Sequence, residues 1–238
     1  IFDLGETILN YGRIDINKSF TEGAKRSYRF LKENRKPIPG LFRYRFWNML
    51  GIRAAYLKSL LTGKDFNSIE LLKKLNKFDL SEDQWRHLSW LWYEPLAEKV
   101  HVESDIRDTI SRLRSMGLKL GILSNIFIDK ISLEKQLNEL GILDMFEVRC
   151  YSYEFDCRKP NHRIFLDTAE KIGEKAADIM FIGDRIDKDI IPALQLGMTA
   201  VLKEAYTNSG KPAPSEAYRI KHLSELPAII SGLNGRKP

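Results

Sequence analysis

The sequence predicts an α/β fold in which a core with a parallel sheet carries an inserted, all-helical cap. Short apolar runs alternate with single helices after Pro95, and a further apolar run stands at residues 1–4. Between these two regions, apolar and aromatic residues recur at three- and four-residue spacing without a strand pattern. Because parallel strands need a crossover between them, alternating strands and helices predict βαβ units. The 238 residues fit one large domain with an insertion.

The first predicted element is a buried strand at residues 1–4, at the start of the chain. A strand in the middle of a sheet rarely begins at the first residue. We therefore expect a few upstream residues to be missing, together with any targeting signal that they carry. The visible sequence has no such signal and predicts a cytoplasmic protein.

The cap is predicted over residues 15–95 as a small helical bundle. Pro37, Pro39 and Pro95 interrupt its helices. Because helical spacing explains its aromatic side chains without a ligand, we expect its phenylalanines and tryptophans to lie mostly in its core. It contains every tryptophan of the protein: Trp47, Trp85, Trp90 and Trp92.

The core is predicted over residues 1–14 and 96–238, as a Rossmann-like parallel sheet with helices between its strands. The predicted helices are residues 105–116, 129–140, 162–172, 188–196 and 223–233. The further predicted strands are residues 118–123, 146–151, 179–182, 199–202 and 218–220. Residues 203–215, rich in proline, glycine and serine, are predicted to be a loop.

The positive charge of the protein is concentrated in the cap. The formal net charge is +6, but residues 13–64 contain thirteen Lys or Arg against three acidic residues. This segment carries +10 and the remainder −4, so the basicity belongs to one part of the chain. With helices but no recognition motif, we interpret it as a lid for a small anionic substrate, and a nucleic-acid partner is disfavoured.

Composition excludes several other classes of protein. Two cysteines, Cys150 and Cys157, are too few for a disulfide scaffold or a four-cysteine zinc site. Four scattered histidines lack the spacing of a zinc hydrolase. No apolar run approaches the ~20 residues that span a bilayer, so no membrane partner is expected. The sequence does not specify an oligomeric state.

Polar side chains follow four of the predicted strands. Asp3 ends the first, Ser124 and Asn125 follow the second, Lys159 lies after the third, and Asp184 follows the fourth. The carboxyl ends of parallel strands meet at one edge, where ligands bind. A carboxylate can attack phosphorus there if a cation offsets its repulsion from the phosphate. Mg²⁺ shared by two carboxylates meets that need, with a lysine and a hydroxyl contacting the phosphate oxygens.

These residues stand in four motifs. The first motif, DxDx[TV], is matched by Asp3, Gly5 and Thr7, with Gly5 in place of the second Asp. The second motif, a Ser after an apolar strand, is matched by Ser124. The third, a Lys often followed by Pro, is matched at positions 159–160, and GDxxxxD is matched at positions 183–189. In this order, and over essentially the whole chain, the sequence resembles the haloacid dehalogenase-like superfamily of hydrolases with an inserted helical cap.

The resemblance implies roles for the site residues. Asp3 would be the nucleophile and a ligand of Mg²⁺, together with the Gly5 carbonyl, Asp184 and Asp189. Ser124 and Lys159 would contact the phosphate as catalytic residues, with Asn125 and Thr7 in supporting contacts.

The departure is Gly5, where phosphatases of this superfamily usually carry a second Asp that protonates the leaving group. Gly5 cannot exchange a proton, although its carbonyl can still bind the metal. General acid–base help is worth ~10²–10⁴-fold. Glu6 is the nearest substitute, but in an extended chain its side chain would point to the opposite face from Asp3.

Together these features predict a Mg²⁺-dependent phosphatase that acts on a small phosphorylated metabolite through an aspartyl-phosphate intermediate. A catalytically impaired binding protein of the same fold is the alternative that Gly5 favours. A haloacid dehalogenase is disfavoured by Asp184 and Asp189, because that chemistry uses no metal. A phosphomutase is disfavoured because it depends on the carboxylate that Gly5 replaces.

Overall fold

The structure is a computed structural model and describes residues 1–235. Its strands are β1 (Gly121–Ser124), β2 (Val148–Tyr151), β3 (Met180–Gly183), β4 (Thr199–Lys203) and β5 (Tyr218–Ile220). Its first helices are α1 (Ile16–Glu33), α2 (Leu41–Thr62), α3 (Ser68–Leu75) and α4 (Glu82–Ala97). The later helices are α5 (Ile106–Ser115), α6 (Lys130–Glu139), α7 (His162–Ile172), α8 (Ile191–Gln195) and α9 (Leu226–Asn234).

The strands form a parallel sheet around the first residues of the chain. β1 pairs with β2, β3 with β4, and β4 with β5, all in parallel. Phe2 forms parallel bridges with both Ile122 and Ile182, so residues 1–4 lie between β1 and β3. The Phe2 amide donates to the Gly121 carbonyl at 2.8 Å, and the Asp3 amide donates to the Ile182 carbonyl at 2.8 Å. The predicted first strand is therefore short, but it occupies the centre of the sheet.

Helices cover both faces of this sheet. One buried cluster joins Ile110 of α5 and Leu133 of α6 to Phe2 and Ile182. A second cluster joins Phe165 of α7 to strand residues on the other face. Apolar side chains of buried parallel strands need such a cover on each side. The predicted Rossmann-like class, a parallel core accompanied by helices α1–α4, is confirmed.

Helices α1–α4 pack around a hydrophobic cluster of their own. Its buried members include Leu31, Tyr44, Trp85 and Trp92. The backbones of α1 and α4 approach closely at Gly23, where an added Cβ would lie 2.6 Å from the Trp92 carbonyl oxygen. Glycine is therefore required for α1 and α4 to pack at this distance.

The prediction that aromatic residues of the cap lie in its core is wrong for part of α2. Trp47 is 55% exposed and Phe42 is 72% exposed, on the outer side of the helix. The inner side instead buries Tyr44, Asn48 and Ser59. Because α2 carries apolar residues on both sides, periodicity does not indicate which side packs against the other helices.

Several predicted boundaries differ from the structure. The strand expected at residues 118–123 forms at Gly121–Ser124. The helix expected at 188–196 is a π-helical turn, Ile186–Ile190, followed by the short α8. Pro192 has no amide hydrogen to donate, so a regular α-helical hydrogen-bond ladder cannot run through this point. Among residues 1–235, no helix is both long and apolar enough to cross a membrane.

We expect Gly23→Ala to destabilise the protein by about 1–3 kcal/mol, because the new methyl group collides with the α4 backbone. Gly232→Ala is the matched control, since a Cβ at Gly232 of α9 meets no atom within 4 Å. There, alanine should stabilise the helix by about 0.5–1 kcal/mol. Urea unfolding of both variants measures the difference, and equal effects at the two sites would contradict the tight α1–α4 approach.

Candidate active site

Asp3 lies at the centre of the sheet edge where the strands end. Its carboxylate accepts a hydrogen bond from Lys159 Nζ at 2.8 Å. The same ammonium donates to the Leu123 carbonyl at 3.1 Å and lies 2.6 Å from Asp189 Oδ1. Lys159 thus joins the first and fourth predicted motifs, and all three charged groups are buried.

Lys159 remains a cation although it is buried. Burial lowers the pKa of the Lys159 ammonium, but attraction to Asp189 and Asp3 more than offsets this, so the pKa lies above its usual value. The loop that carries this lysine is held by Asn125. The Asn125 side chain donates to the Lys159 carbonyl at 2.8 Å and accepts from the Lys159 amide at 2.8 Å.

Three carboxylates converge beside this lysine. Oxygen atoms of Asp3, Asp184 and Asp189 lie within 4.8 Å of one another. Burial, followed by repulsion from Asp3 and Asp189, raises the pKa of Asp184 to about 7. Burial also raises the pKa of Asp189, against the attraction of Lys159. Three carboxylates and one ammonium leave two negative charges in excess, and oxygen ligands of this kind fit a hard divalent cation such as Mg²⁺.

Asp189 reaches this cluster because Gly183, which precedes Asp184, has no side chain in the way. A Cβ at Gly183 would lie 2.5 Å from an Asp189 carboxylate oxygen, so any other residue there would displace the carboxylate. The Arg185 amide donates to Asp189 Oδ2 at 2.9 Å, which fixes the side chain at the π-helical turn. The turn therefore orients one member of the carboxylate cluster.

Of the other predicted site residues, Ser124 and Gly5 line the cavity above Asp3, whereas Thr7 does not. Ser124 lies at the end of β1. The Thr7 side chain is fully buried, and its hydroxyl has no hydrogen-bond partner within residues 1–235. An added Cβ at Gly5 meets no atom within 4 Å, so the position usually held by the acid–base carboxylate is open space.

Glu6 is turned towards the cavity, contrary to the expectation for an extended chain. Its backbone is left-handed, with φ of 58°, and it lines the same cavity as Asp3. One carboxylate oxygen accepts from the Tyr11 amide and the Gly12 amide, each at 3.0 Å. Burial raises the pKa of Glu6, although these two amides lower it. The carboxylate therefore holds the turn that follows Asp3.

Sequence reasoning missed two residues on the loop after β4. Thr207 donates a hydrogen bond from its hydroxyl to Asp184 Oδ2. Asn208 donates to the Asp184 carbonyl at 2.8 Å and to the Lys203 carbonyl at 2.8 Å. The sequence did contain a signal for both residues. The loop predicted at 203–215 follows a parallel strand and therefore lies at the same sheet edge.

The carboxylates open into a cavity of about 570 Å³ that α1 and α2 cover on the far side. Of the thirteen cations in residues 13–64, Arg13 and Arg53 line it. The net charge of the cap therefore overstates the positive charge that faces the site. Most of these cations lie on other surfaces of the helices.

Comparison with known proteins tests the resemblance to a family. A family model described as haloacid dehalogenase-like hydrolase matches residues 1–197. The chain belongs to this family, and the resemblance recognised from the four motifs is confirmed. Among curated relatives, a glyceraldehyde 3-phosphate phosphatase of Methanocaldococcus jannaschii is 36% identical over 129 residues, covering 52% of this chain and 54% of the relative. The corresponding phosphatase of Methanopyrus kandleri is 36% identical, covering 41% of each chain. The chain thus spans about half the length, or less, of these relatives.

Solved structures share the whole fold. A phosphatase of this family from Thermococcus onnurineus aligns with a TM-score of 0.61 and 24% identity, covering 97% of this chain and 96% of that one. A haloacid dehalogenase from Pseudomonas syringae aligns with a TM-score of 0.58 and 18% identity, covering 98% and 97%. Since enzymes with both chemistries share the architecture, the fold by itself does not select between them.

The raised pKa of Asp184 predicts a pH-dependent stability. The folded-state pKa is about 7, against an ordinary value of 3.8. Without metal, this group favours folding only while protonated, so its contribution is lost as the pH rises from about 4 through 7. Asp184→Asn should therefore leave the metal-free protein more stable than wild type at pH 8, by about 1–2 kcal/mol or ~2–8 °C, with a smaller difference at ~pH 5.

Thermal unfolding with a chelator present measures this difference. Asp187→Asn serves as the control, because Asp187 carries the same charge but its side chain is 62% exposed. A difference between Asp184→Asn and wild type that stays the same at both pH values would show that burial and repulsion do not raise the pKa of Asp184.

Proposed function

We propose that this protein is a Mg²⁺-dependent phosphatase that hydrolyses a small phosphorylated metabolite through an aspartyl-phosphate intermediate. The observation that carries the proposal is the buried cluster of Asp3, Asp184 and Asp189 with Lys159 at its side. Curated relatives named as phosphatases, including a ribulose-1,5-bisphosphate 5-phosphatase of Halopiger xanaduensis, support the same chemistry.

The proposed first step is attack by an Asp3 carboxylate oxygen on phosphorus. A bond forms between this oxygen and phosphorus, and the bond from phosphorus to the alcohol oxygen breaks. Lys159, which is 2.8 Å from Asp3, orients the nucleophile and offsets negative charge at the phosphate. Ser124, at the end of β1, is placed to donate its hydroxyl to a phosphate oxygen.

The second step is hydrolysis of the aspartyl phosphate. Water attacks phosphorus, the bond to Asp3 breaks, and inorganic phosphate leaves with the carboxylate restored. Asp3, Asp184, Asp189 and the Gly5 carbonyl would hold Mg²⁺. When bound, this ion supplies the positive charge that lets a dianionic phosphate approach a carboxylate.

Helices α1–α4, with the segment around them at residues 15–95, act in this proposal as the cap, and residues 1–14 and 96–238 act as the core. Side chains of α1 and α2 line the cavity above Asp3. Electrostatic interactions within the site are stronger where these side chains replace bulk water. The cap would therefore contribute both substrate selection and a less polar environment.

Hydrolysis of phosphomonoesters tests the proposal directly. We expect wild-type protein with Mg²⁺ to release phosphate from para-nitrophenyl phosphate, and to lose this activity in a chelator. Asp3→Asn should lower kcat at least ~10³-fold, because it removes the nucleophile. Asp187→Asn, an exposed charge change on the same edge, is the control.

Two outcomes would contradict the proposal. Phosphate or vanadate binding without hydrolysis of any phosphomonoester would favour the catalytically impaired binding protein. Halide release from a haloacid without metal would favour the dehalogenase.

The open space at Gly5 yields a second prediction. Gly5→Asp should raise kcat for an alkyl phosphate at least ~10-fold, because the new carboxyl can protonate a poor leaving group. It should change kcat little for para-nitrophenyl phosphate, whose leaving group departs without a proton. A Cβ at Gly5 meets no atom within 4 Å, so the fold should tolerate the side chain.

Gly5→Asn is the matched control, since it has the same shape but no proton to donate. Steady-state kinetics with both esters measures the effect. A gain of equal size with asparagine would show that the side chain acts by filling space and not as an acid.

A further inference from the structure

The cavity above the carboxylates is larger than a phosphate group requires. Its volume of about 570 Å³ lies within the ~300–1,000 Å³ of pockets that hold drug-sized ligands. Asp3, Lys159 and Asp184 line only part of it. The remaining part must then receive the organic part of the substrate, and its lining determines what that part can be.

Apolar side chains from three separate segments line much of this remaining part. They come from α1 and the residues before it, from the inner side of α2, and from the loop that follows Asn125. These residues are Ile14, Ile16, Phe20, Met49, Ile52, Tyr56, Ile126, Phe127 and Ile128. Because several segments contribute, the apolar lining belongs to the cavity and not to one exposed helix face.

An aromatic cluster organises this lining around Phe127, which lies three residues after Ser124. Its ring stacks on Phe66 at 4.9 Å with an interplanar angle of 16°. The rings of Phe20 and Tyr56 lie 6.3 Å and 6.4 Å from it. Aromatic rings at these distances gain energy from their mutual contact, so the cluster is packed before any ligand arrives.

Several polar groups among the lining residues already have partners. The Arg53 guanidinium donates to Asn17 Oδ1 at 2.9 Å. The hydroxyls of Tyr11 and Tyr93 are 2.8 Å apart and bond to each other. A sugar or polyol hydroxyl packed against these apolar side chains would lose its hydrogen bonds to water, which is unfavourable by about 1–3 kcal/mol for each group left unpaired.

We propose that the substrates of this site are phosphomonoesters whose organic group is apolar, an aliphatic chain or an aromatic ring. The proposal rests on the phosphatase function proposed above. The ester and water give the apolar alcohol and inorganic phosphate, with the bond from phosphorus to the alcohol oxygen broken. The three-carbon phosphate named for the relatives would leave most of the apolar lining exposed to water.

Binding of n-alkyl phosphonates tests the proposal without turnover. They present the same headgroup at every chain length and cannot be hydrolysed. Titration calorimetry of the full chain with Mg²⁺ would give Kd from ethyl to octyl phosphonate. Each buried methylene should lower Kd by about three- to fourfold. A Kd that does not change along the series would overturn the proposal.

Two neighbours on α2 provide a matched pair of variants. Tyr56 lines the cavity, whereas Leu57 does not line it and is 60% exposed. Tyr56→Ala should weaken octyl phosphonate binding at least ~fivefold and leave ethyl phosphonate nearly unchanged, while Leu57→Ala should affect neither. Both positions are exposed enough to tolerate alanine. Equal effects of the two variants would contradict an apolar subsite beside Tyr56.

The two proposals can fail separately. If para-nitrophenyl phosphate is not hydrolysed but Kd falls with chain length, the phosphatase function is wrong and the apolar subsite stands. If para-nitrophenyl phosphate is hydrolysed but Kd is flat, the phosphatase function stands and the apolar substrate class is wrong.

Discussion

Repulsion among three carboxylates beside a single buried lysine is the interaction around which this protein is organised. Parallel strands bring Asp3 and Asp184 to one sheet edge, and the π-helical turn adds Asp189. Lys159 contacts two of the three, and Thr207 donates to the remaining one. Burial disfavours the charged form of Asp184, and repulsion from carboxylates held this close adds to the effect. Both raise the pKa of Asp184. The fold therefore holds three carboxylates and one lysine close together at the edge of the sheet.

Buried polar contacts hold the cap over this arrangement. Asp65, between α2 and α3, forms an ion pair with Arg158 at 2.9 Å, and its side chain is 4% exposed. The Ser152 hydroxyl donates to the same carboxylate. Because Arg158 precedes Lys159 in the chain, the contact links the position of the cap to the loop that carries the site lysine.

Much of the fold and of the charged cluster could be predicted from sequence, because both follow from local patterns. Apolar runs and helix ends located the strands to within a few residues, and strand order placed Asp3, Lys159 and Asp184 at one edge. The surroundings of single side chains could not be predicted. Thr7 is buried away from the cavity, and the Asn125 side chain bonds to the Lys159 backbone. In both cases tertiary packing, and not the local sequence pattern, determines the surroundings.

The sequence by itself determined the family, the parallel core with its helical cap, and the polar residues that meet at the sheet edge, since each depends on residue type and spacing along the chain. Only the tertiary structure decided which side of α2 faces the cavity, how Glu6 turns, and which apolar side chains line the cavity. These features arise from contacts between segments such as α2 and the loop at Phe127, which are more than sixty residues apart. The periodicity of the sequence does not indicate which distant segments are in contact. Tertiary packing determines these contacts.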